Sequence, residues 1–256
     1  MPFLQAQLAR VRGPFGKKLP ISSVTRDHLE RLGVTQGSLD FYEGAIVRLA
    51  STGPPDQLEA LAGRLAQILN NISMDNERGA RVLMDEMLRS AVHTAAQPFL
   101  ATVIVPDMKL AIDTGEGITI HHPETGYQLS ITGHIDYTLV GCLPENRAAD
   151  NLAHYLPEAV AQALTLITYS GTDKVYFCLT TGLTWIFVIL VKNGTGNFVY
   201  YHSQPRVIDW RLLSSRSYGP NTLRSLDQVM KLIQEWLTPS NGSFDLLFQL
   251  APSVDE

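Results

Sequence analysis

Apolar residues recur with a helical period in the first hundred positions of the chain, and with a strand period in most of the remaining positions. They repeat every three or four positions in Gln57–Leu69 and again from Ser73 to Ala95, a spacing that places them on one helix face. Thr25 is a suitable N-cap for an earlier helix, and Leu39–Leu49 predicts a second short one. The pattern therefore predicts a helical N-terminal extension over residues 1–72.

Shorter segments rich in β-branched and aromatic residues come next, and these are typical of strands. They are Ala101–Val105, Lys109–Ile112, Gly117–His121, Tyr127–Val140, Lys174–Thr180, Leu183–Val191 and Asn197–His202. An amphipathic helix, Leu156–Tyr169, interrupts them, and residues 222–237 form a closing helix.

This order of helix, strands, helix and further strands predicts an α/β fold of the restriction-endonuclease-like type, a mixed sheet flanked by helices. We expect Tyr127–Val140, Lys174–Thr180 and Leu183–Val191 to share one sheet, with the Leu156–Tyr169 helix packed on it. The α/β core is predicted to span residues 73–250, and residues 251–256 to form a disordered tail.

Composition argues against a membrane-spanning, a secreted or a strongly basic nucleic-acid-binding protein. The 256 residues are 45% hydrophobic and carry a net charge of -5, so no overall basic field attracts nucleic acid. No apolar run is long enough to span a bilayer, and the first residues lack a signal-peptide core. Cys142 and Cys178 form neither a metal-ligand spacing nor a disulfide framework. These features predict an intracellular protein, cytoplasmic or nuclear.

One acid, Asp136, lies inside the strand-like segment Ser130–Val140. A carboxylate in an apolar strand is costly to bury unless it is paired, hydrogen-bonded or bound to a metal. Gly133, three positions earlier, allows another backbone or a ligand to approach closely. Asp136 is therefore the best single candidate for a functional residue, with a structural acid hydrogen-bonded to the backbone as the alternative.

Several segments in order resemble one family of proteins. They are Asn76-Glu77-Arg78, Lys109-Leu-Ala-Ile, His122-Pro-Glu-Thr-Gly-Tyr-Gln-Leu, Gly133-His-Ile-Asp136-Tyr137, Leu156-Pro-Glu158-Ala-Val-Ala-Gln162, Val175-Tyr-Phe-Cys-Leu and Trp185-Ile-Phe. Over roughly residues 73–203, the chain resembles fungal proteins that carry a PD-(D/E)XK nuclease-like domain.

The resemblance implies a magnesium site. In active members, the acid matching Asp136 and a Glu-x-Lys on the next strand hold Mg²⁺, and a helix acid matching Glu77 adds a ligand. This chain lacks that second half: Gly141–Tyr155 contains neither an apolar strand nor a Glu-x-Lys. Glu77 is also accounted for as a first-turn acid that the helix dipole favours.

Glu158 and Gln162 lie one helical turn apart and share a face. In some nuclease-like proteins the second acid lies on this helix and a Gln helps to shape the site. Glu158 is thus the candidate for the missing acid, with first-turn capping beside Pro157 as the alternative. The histidines at 121, 122 and 134 do not suggest a metal site, because adjacent strand residues point to opposite faces.

These observations predict a degenerate, non-catalytic PD-(D/E)XK-like module that binds protein or nucleic acid and needs no cofactor. The alternative is a nuclease that uses Mg²⁺ or Mn²⁺, with Asp136, Glu77 and Glu158 as metal ligands and Gln162 beside them.

Overall fold

The computed structural model describes residues 19–50, 55–74, 77–95, 106–110, 118–122, 124–137, 149–215, 219–237 and 244–252. Within these ranges, side chains are described except at Pro55, Glu77, Arg78, Ala95, Pro106–Leu110, 132–137, 149–151 and Trp210. In this part of the chain the α-helices are α1 (Arg26–Arg31), α2 (Glu43–Ala50), α3 (Pro55–Asn71), α4 (Glu77–Ala95), α5 (Leu156–Ser170), α6 (Trp210–Ser214) and α7 (Pro220–Leu237). The strands are β1 (Leu19–Pro20), β2 (Val34–Phe41), β3 (Pro106–Leu110), β4 (Ile118–His121), β5 (Gln128–Tyr137), β6 (Lys174–Thr180), β7 (Thr184–Lys192), β8 (Phe198–His202), β9 (Arg206–Val207) and β10 (Phe248–Pro252).

The larger sheet has the strand order β10-β2-β8-β7-β6, and β9 pairs with one end of β7. Strand β2 runs parallel to β8, whereas the other pairs are antiparallel. Residues Thr184–Leu190 of β7 are all buried, because this central strand is covered on both faces. The sheet is therefore mixed and forms the centre of the fold.

The smaller sheet is built around β5. Strand β1 pairs with it in parallel, and β3 and β4 pair with it antiparallel, β4 along its first half and β3 along its second half. Within the described residues, β5 thus finds its partners in its own sheet and none in the larger one.

Helix α5 lies between the two sheets. Its residues share one hydrophobic core with Ile118, Ile120 and Ile131 of the smaller sheet and with Phe177 and Val188 of the larger one. Nine of its fifteen residues are buried, including the run Ala159–Thr165, which is the pattern of a helix covered all round rather than on one face. Helices α2, α3, α4 and α7 contribute to a second core that reaches β7 from its other face.

The α/β class and the mixed sheet flanked by helices are confirmed. Three local predictions are wrong. Residues 34–41 form a strand inside the larger sheet, so the predicted Leu39–Leu49 helix begins only at Glu43. Ala251 and Pro252, assigned to a disordered tail, pair with β2. Strand β5 does not share a sheet with β6 and β7, because the apolar surface of α5 requires a sheet on each side.

The remaining predictions of elements have different outcomes. The helices predicted in Gln57–Leu69, in Ser73–Ala95, in Leu156–Tyr169 and in 222–237 are confirmed, as are strands β6, β7 and β8. The predicted strand Ala101–Val105 and residues 253–256 lie outside the described residues. The domain boundary at residue 72 stays a prediction, although β2 places part of the N-terminal segment in the main sheet.

Gly33 connects α1 to β2 with a left-handed backbone, φ 74°. A Cβ at this position would lie 2.8 Å from His122 Nε2 and 3.1 Å from Asn197 Oδ1. The His122 ring cannot easily yield, because its Nδ1 accepts hydrogen bonds from the backbone N–H groups of Glu124 and Thr125. Gly33 therefore satisfies both a backbone and a packing constraint.

We predict that Gly33→Ala lowers the free energy of unfolding by more than Gly171→Ala. Gly171 has a similar φ of 69°, but no atom of the described residues would lie within 4 Å of a Cβ at that position. Its substitution therefore carries only the cost of a left-handed alanine, about 1–2 kcal/mol. Gly33→Ala should exceed that by about 1 kcal/mol or more, from the overpacking. Urea unfolding of both variants measures the difference, and equal losses would contradict the close contact with His122.

Candidate functional site

A cavity of about 200 Å³ opens between α1 and the paired strands β2 and β8. Leu29 and Val34, both buried, give it an apolar floor. Gln36 and Tyr200 contribute polar groups, and Arg26 and Glu30 stand on exposed positions at its mouth. The cavity therefore combines a small apolar base with hydrogen-bonding groups and one charged pair.

The register of the two parallel strands creates this arrangement. Gln36 lies opposite Tyr200, and Ser38 lies opposite His202. Because alternate strand residues share a face, these four side chains belong to the same side of the sheet. Gly37 faces the other side, where the Tyr201 ring would lie 2.6 Å from a Cβ at that position. Gly37 thus leaves room for the Tyr201 ring on one face of β2, while the neighbouring Gln36 side chain reaches the cavity on the other face.

A chain of hydrogen bonds leads from the cavity into the sheet. Tyr200 Oη donates to Gln36 Oε1 at 2.8 Å, and Gln36 Nε2 lies 2.9 Å from His202 Nε2. His202 Nδ1 lies 3.3 Å from the carbonyl oxygen of Ser203. A carbonyl oxygen only accepts, so Nδ1 carries the proton of the neutral ring and Nε2 accepts from the Gln36 amide. While His202 is neutral, the donor and the acceptor of each hydrogen bond in this chain are therefore fixed.

Burial keeps both ends of this chain uncharged. It raises the pKa of Tyr200 to about 12, with Arg26 opposing the rise and Glu30 adding to it. Burial also lowers the pKa of His202, although its hydrogen bond to Ser203 works in the other direction. At neutral pH the network is thus a neutral phenol, a neutral amide and a neutral imidazole.

Arg26 and Glu30 pair across one helical turn, with 2.9 Å between Arg26 Nε and Glu30 Oε1. Both side chains are more than half exposed, so the pair contributes little to stability. The guanidinium has five N–H donors, and the Nε one is directed at Glu30. The pair therefore offers both a cationic and an anionic group to a molecule that approaches the cavity.

The acids predicted from the sequence lie elsewhere. Glu158 is half-buried in the first turn of α5, and Gln162 follows one turn later with only 4% of its surface exposed. Gln162 Oε1 is buried, and none of the described side chains or backbone groups forms a hydrogen bond with it. Asp136 lies in β5, and its side chain falls outside the described part. Helix α5 and strand β5 both contribute residues to the same hydrophobic core.

Glu77 is the first residue of α4, and its side chain is likewise not described. The buried residues of α4 belong to the core on the other face of the larger sheet. Hence Glu158 and Gln162 share one helix beside the strand that carries Asp136, whereas the helix of Glu77 packs on the opposite side. Among the described residues, no three His, Cys, Asp or Glu side chains are grouped as metal ligands would be.

The cavity was missed by the sequence analysis because its residues come from distant segments. Gln36 and Tyr200 are 164 positions apart, and residues 34–41 were not recognised as a strand. The sequence did contain one indication of the cavity. Tyr200 and His202 are alternate residues of a predicted strand, so their polar groups lie on one face and need hydrogen-bond partners there.

The chain matches no protein-family model, and none of the curated proteins resembles it closely enough to count as a match. Among the helices described, none has the length and apolar character needed to cross a membrane.

We predict that His202 makes the protein less stable in acid. The unfolded chain has a histidine pKa near 6.5, whereas burial lowers the pKa of His202 in the folded state. The unfolded state therefore binds this proton first as the pH falls. The stability contributed by neutral His202 is complete above about pH 6.5, and it is lost progressively below that value until the folded form titrates as well.

The measurement is urea unfolding of the wild type and of His202→Asn between about pH 7.5 and about pH 5, a range that brackets the ordinary histidine pKa. The wild type should be the more stable protein at the upper limit, and its advantage should shrink toward the lower limit. The other histidines are common to both proteins and cancel. An advantage that does not change with pH would contradict the prediction.

Proposed function

We propose that this chain is a non-catalytic, PD-(D/E)XK-like module that binds a protein partner through the cavity between α1, β2 and β8. The observation that carries the proposal is the combination of an accessible charged pair, Arg26 and Glu30, with a buried chain of hydrogen bonds behind it. Buried polar networks hold their members in fixed positions. A partner group that enters the cavity would therefore meet polar atoms already in place.

Charge favours protein over nucleic acid as the partner. Four arginines of the described part pair with carboxylates: Arg26 with Glu30, Arg64 and Arg89 with Glu86, and Arg206 with Glu43. Nucleic-acid binding depends on releasing counterions from phosphates with unneutralised basic groups. With a net charge of -5 and with these four arginines paired, the described part of the chain supplies little of that driving force.

A second candidate is the nuclease in which Glu158 replaces the missing acid of the family resemblance. One observation favours it: the buried Oε1 of Gln162, one turn after Glu158 on the helix beside β5, has no hydrogen-bond partner among the described groups. Carboxylate and amide oxygens are the ligand type that Mg²⁺ prefers. In such a nuclease Asp136 and Glu158 would hold the metal, which would polarise the phosphate and lower the pKa of a bound water.

We predict that the purified protein does not cleave single-stranded or double-stranded DNA or RNA with Mg²⁺ or Mn²⁺. Cleavage requires stabilisation of the charge that develops on the phosphate, normally by metal ions and a cation, and the Glu-x-Lys that supplies part of this is missing. The assay compares the wild type with Asp136→Ala and with Glu158→Gln. Activity of the wild type that both substitutions abolish would establish the nuclease instead.

We also predict that partner capture depends on Arg26. The tagged protein, incubated with nuclease-treated lysate of its source cells, should retain a partner that the Arg26→Glu variant loses by at least tenfold. The matched control is Arg64→Glu, which reverses another exposed, carboxylate-paired arginine on α3, remote in sequence from the cavity. The captured protein is then purified and titrated against all three forms.

Equal binding by the two variants would refute a role for the cavity. Capture from untreated lysate that is absent from nuclease-treated lysate would identify nucleic acid as the ligand, and would overturn the choice of a protein partner.

A further inference from the structure

We propose that the cavity receives a secondary amide of the partner, with the amide N–H donated to Tyr200 Oη and the amide carbonyl turned toward Arg26. This inference rests on the proposed function in one respect, that the cavity is the contact site. It goes further by naming the chemical group that is recognised and the atom that recognises it.

The hydrogen-bond assignments select a donor as the ligand of Tyr200. The hydroxyl proton of Tyr200 is directed to Gln36 Oε1, so its oxygen offers lone pairs and no proton to the cavity. Only 3% of the Tyr200 surface is exposed, and the residue lines the cavity together with Gln36. An acceptor in so dry a position favours a ligand that brings an N–H group and disfavours one that brings only lone pairs.

The remainder of the cavity fits an amide better than an ammonium group. Arg26 at the mouth supplies donors suited to a carbonyl oxygen, whereas an ammonium group could pair only with Glu30 and would leave the remaining Arg26 donors without an acceptor. Leu29 and Val34 form the apolar floor, on which the methyl or methylene groups that flank an amide can pack. A peptide group, or the substituted amide of a modified side chain, has this combination of N–H, carbonyl and apolar flanks.

Neutral His202 keeps Tyr200 Oη a hydrogen-bond acceptor toward the cavity. If His202 takes a second proton, Nε2 becomes a donor and the Gln36 amide must turn its oxygen toward the ring. The amide nitrogen then faces Tyr200 Oη and donates to it, which frees the hydroxyl proton of Tyr200 to point into the cavity. The acceptor becomes a donor, and the preference for an N–H ligand disappears.

The groups around His202 allow this exchange. Ser38 lies opposite it on β2 and donates to Asp40 Oδ2, and the uncharged Val188 lies opposite it on β7. On its own strand, Tyr200 is the titratable residue that shares the face of His202, and Tyr201 lies on the other face. From α1, Arg26 and Glu30 act on Tyr200.

The test uses two small probes, N-methylacetamide and N,N-dimethylacetamide, which share a carbonyl but differ in the N–H group. Each is titrated into ¹⁵N-labelled protein, with the side-chain amide resonance of Gln36 as the reporter. At neutral pH, N-methylacetamide should bind at least fivefold more tightly than N,N-dimethylacetamide. In Tyr200→Phe, which removes only the hydroxyl, the two probes should bind within twofold of each other. Below the pKa of His202 the wild type should also lose its preference.

Equal binding of the two probes to the wild type at neutral pH, or no response to either, would overturn the inference. So would a preference that persists in Tyr200→Phe. These outcomes leave the proposed function standing if the Arg26→Glu variant still loses its partner while Arg64→Glu keeps it. If instead both variants keep the partner, the proposed function fails whatever the probes show.

Discussion

The parallel pairing of β2 with β8 is the contact on which the rest of the site depends. It brings Gln36 opposite Tyr200 and Ser38 opposite His202, and it sets α1 over the end of these strands with Gly33 as the connection. A shift of one residue in this register would turn Gln36 to the opposite face of the sheet. The Tyr201 ring over Gly37 opposes such a shift, because only glycine leaves room for it.

Helix α5 imposes the second constraint. Its run of alanines and aliphatic residues is buried on all sides, and it therefore separates the two sheets instead of lying on the surface of one. Thr165 and Gln162 are the polar residues within that run. Thr165 satisfies its hydroxyl by donating to the backbone carbonyl of Gln162, whereas the side-chain amide oxygen of Gln162 has no partner within the described part of the chain. A helix whose surroundings are apolar thus carries one buried amide oxygen.

The sequence predicted the elements whose signals are local. The periodic leucines of α3, the apolar run of β7 and the Pro157 in the first turn of α5 each depend on nearby residues only, and the structure agrees with all of them. Strand β2 was missed because Gln36, Gly37 and Ser38 form a polar centre that looks unlike a strand. Their suitability follows from Tyr200, Tyr201 and His202, which pair with them although they lie 164 positions later in the chain.

The difference between local and long-range signals also explains why Glu158 and Gln162 were predicted as site residues and the cavity was not. Glu158 and Gln162 were found because one helical turn relates them, whereas the cavity residues are related only by strand pairing. Pairing of β5 within its own small sheet was equally invisible, since a strand pattern indicates a strand but not its neighbours. Long-range register is therefore what the sequence analysis lacked, both for the sheets and for the cavity.

The position of β2 between β8 and β10 also has a consequence for how the chain folds. Both partners of this early strand come from the last quarter of the sequence, so its contacts close loops of great length. Folding with such distant pairings is slow. During synthesis β2 emerges long before either partner, with its backbone N–H and C=O groups unpaired, and an unpaired strand edge can template pairing with other chains. Gly37 and the polar residues around it lower the tendency of this unpaired segment to pair with other chains during that interval. The polar centre that made β2 hard to recognise as a strand therefore also opposes aggregation until β8 and β10 have been synthesised.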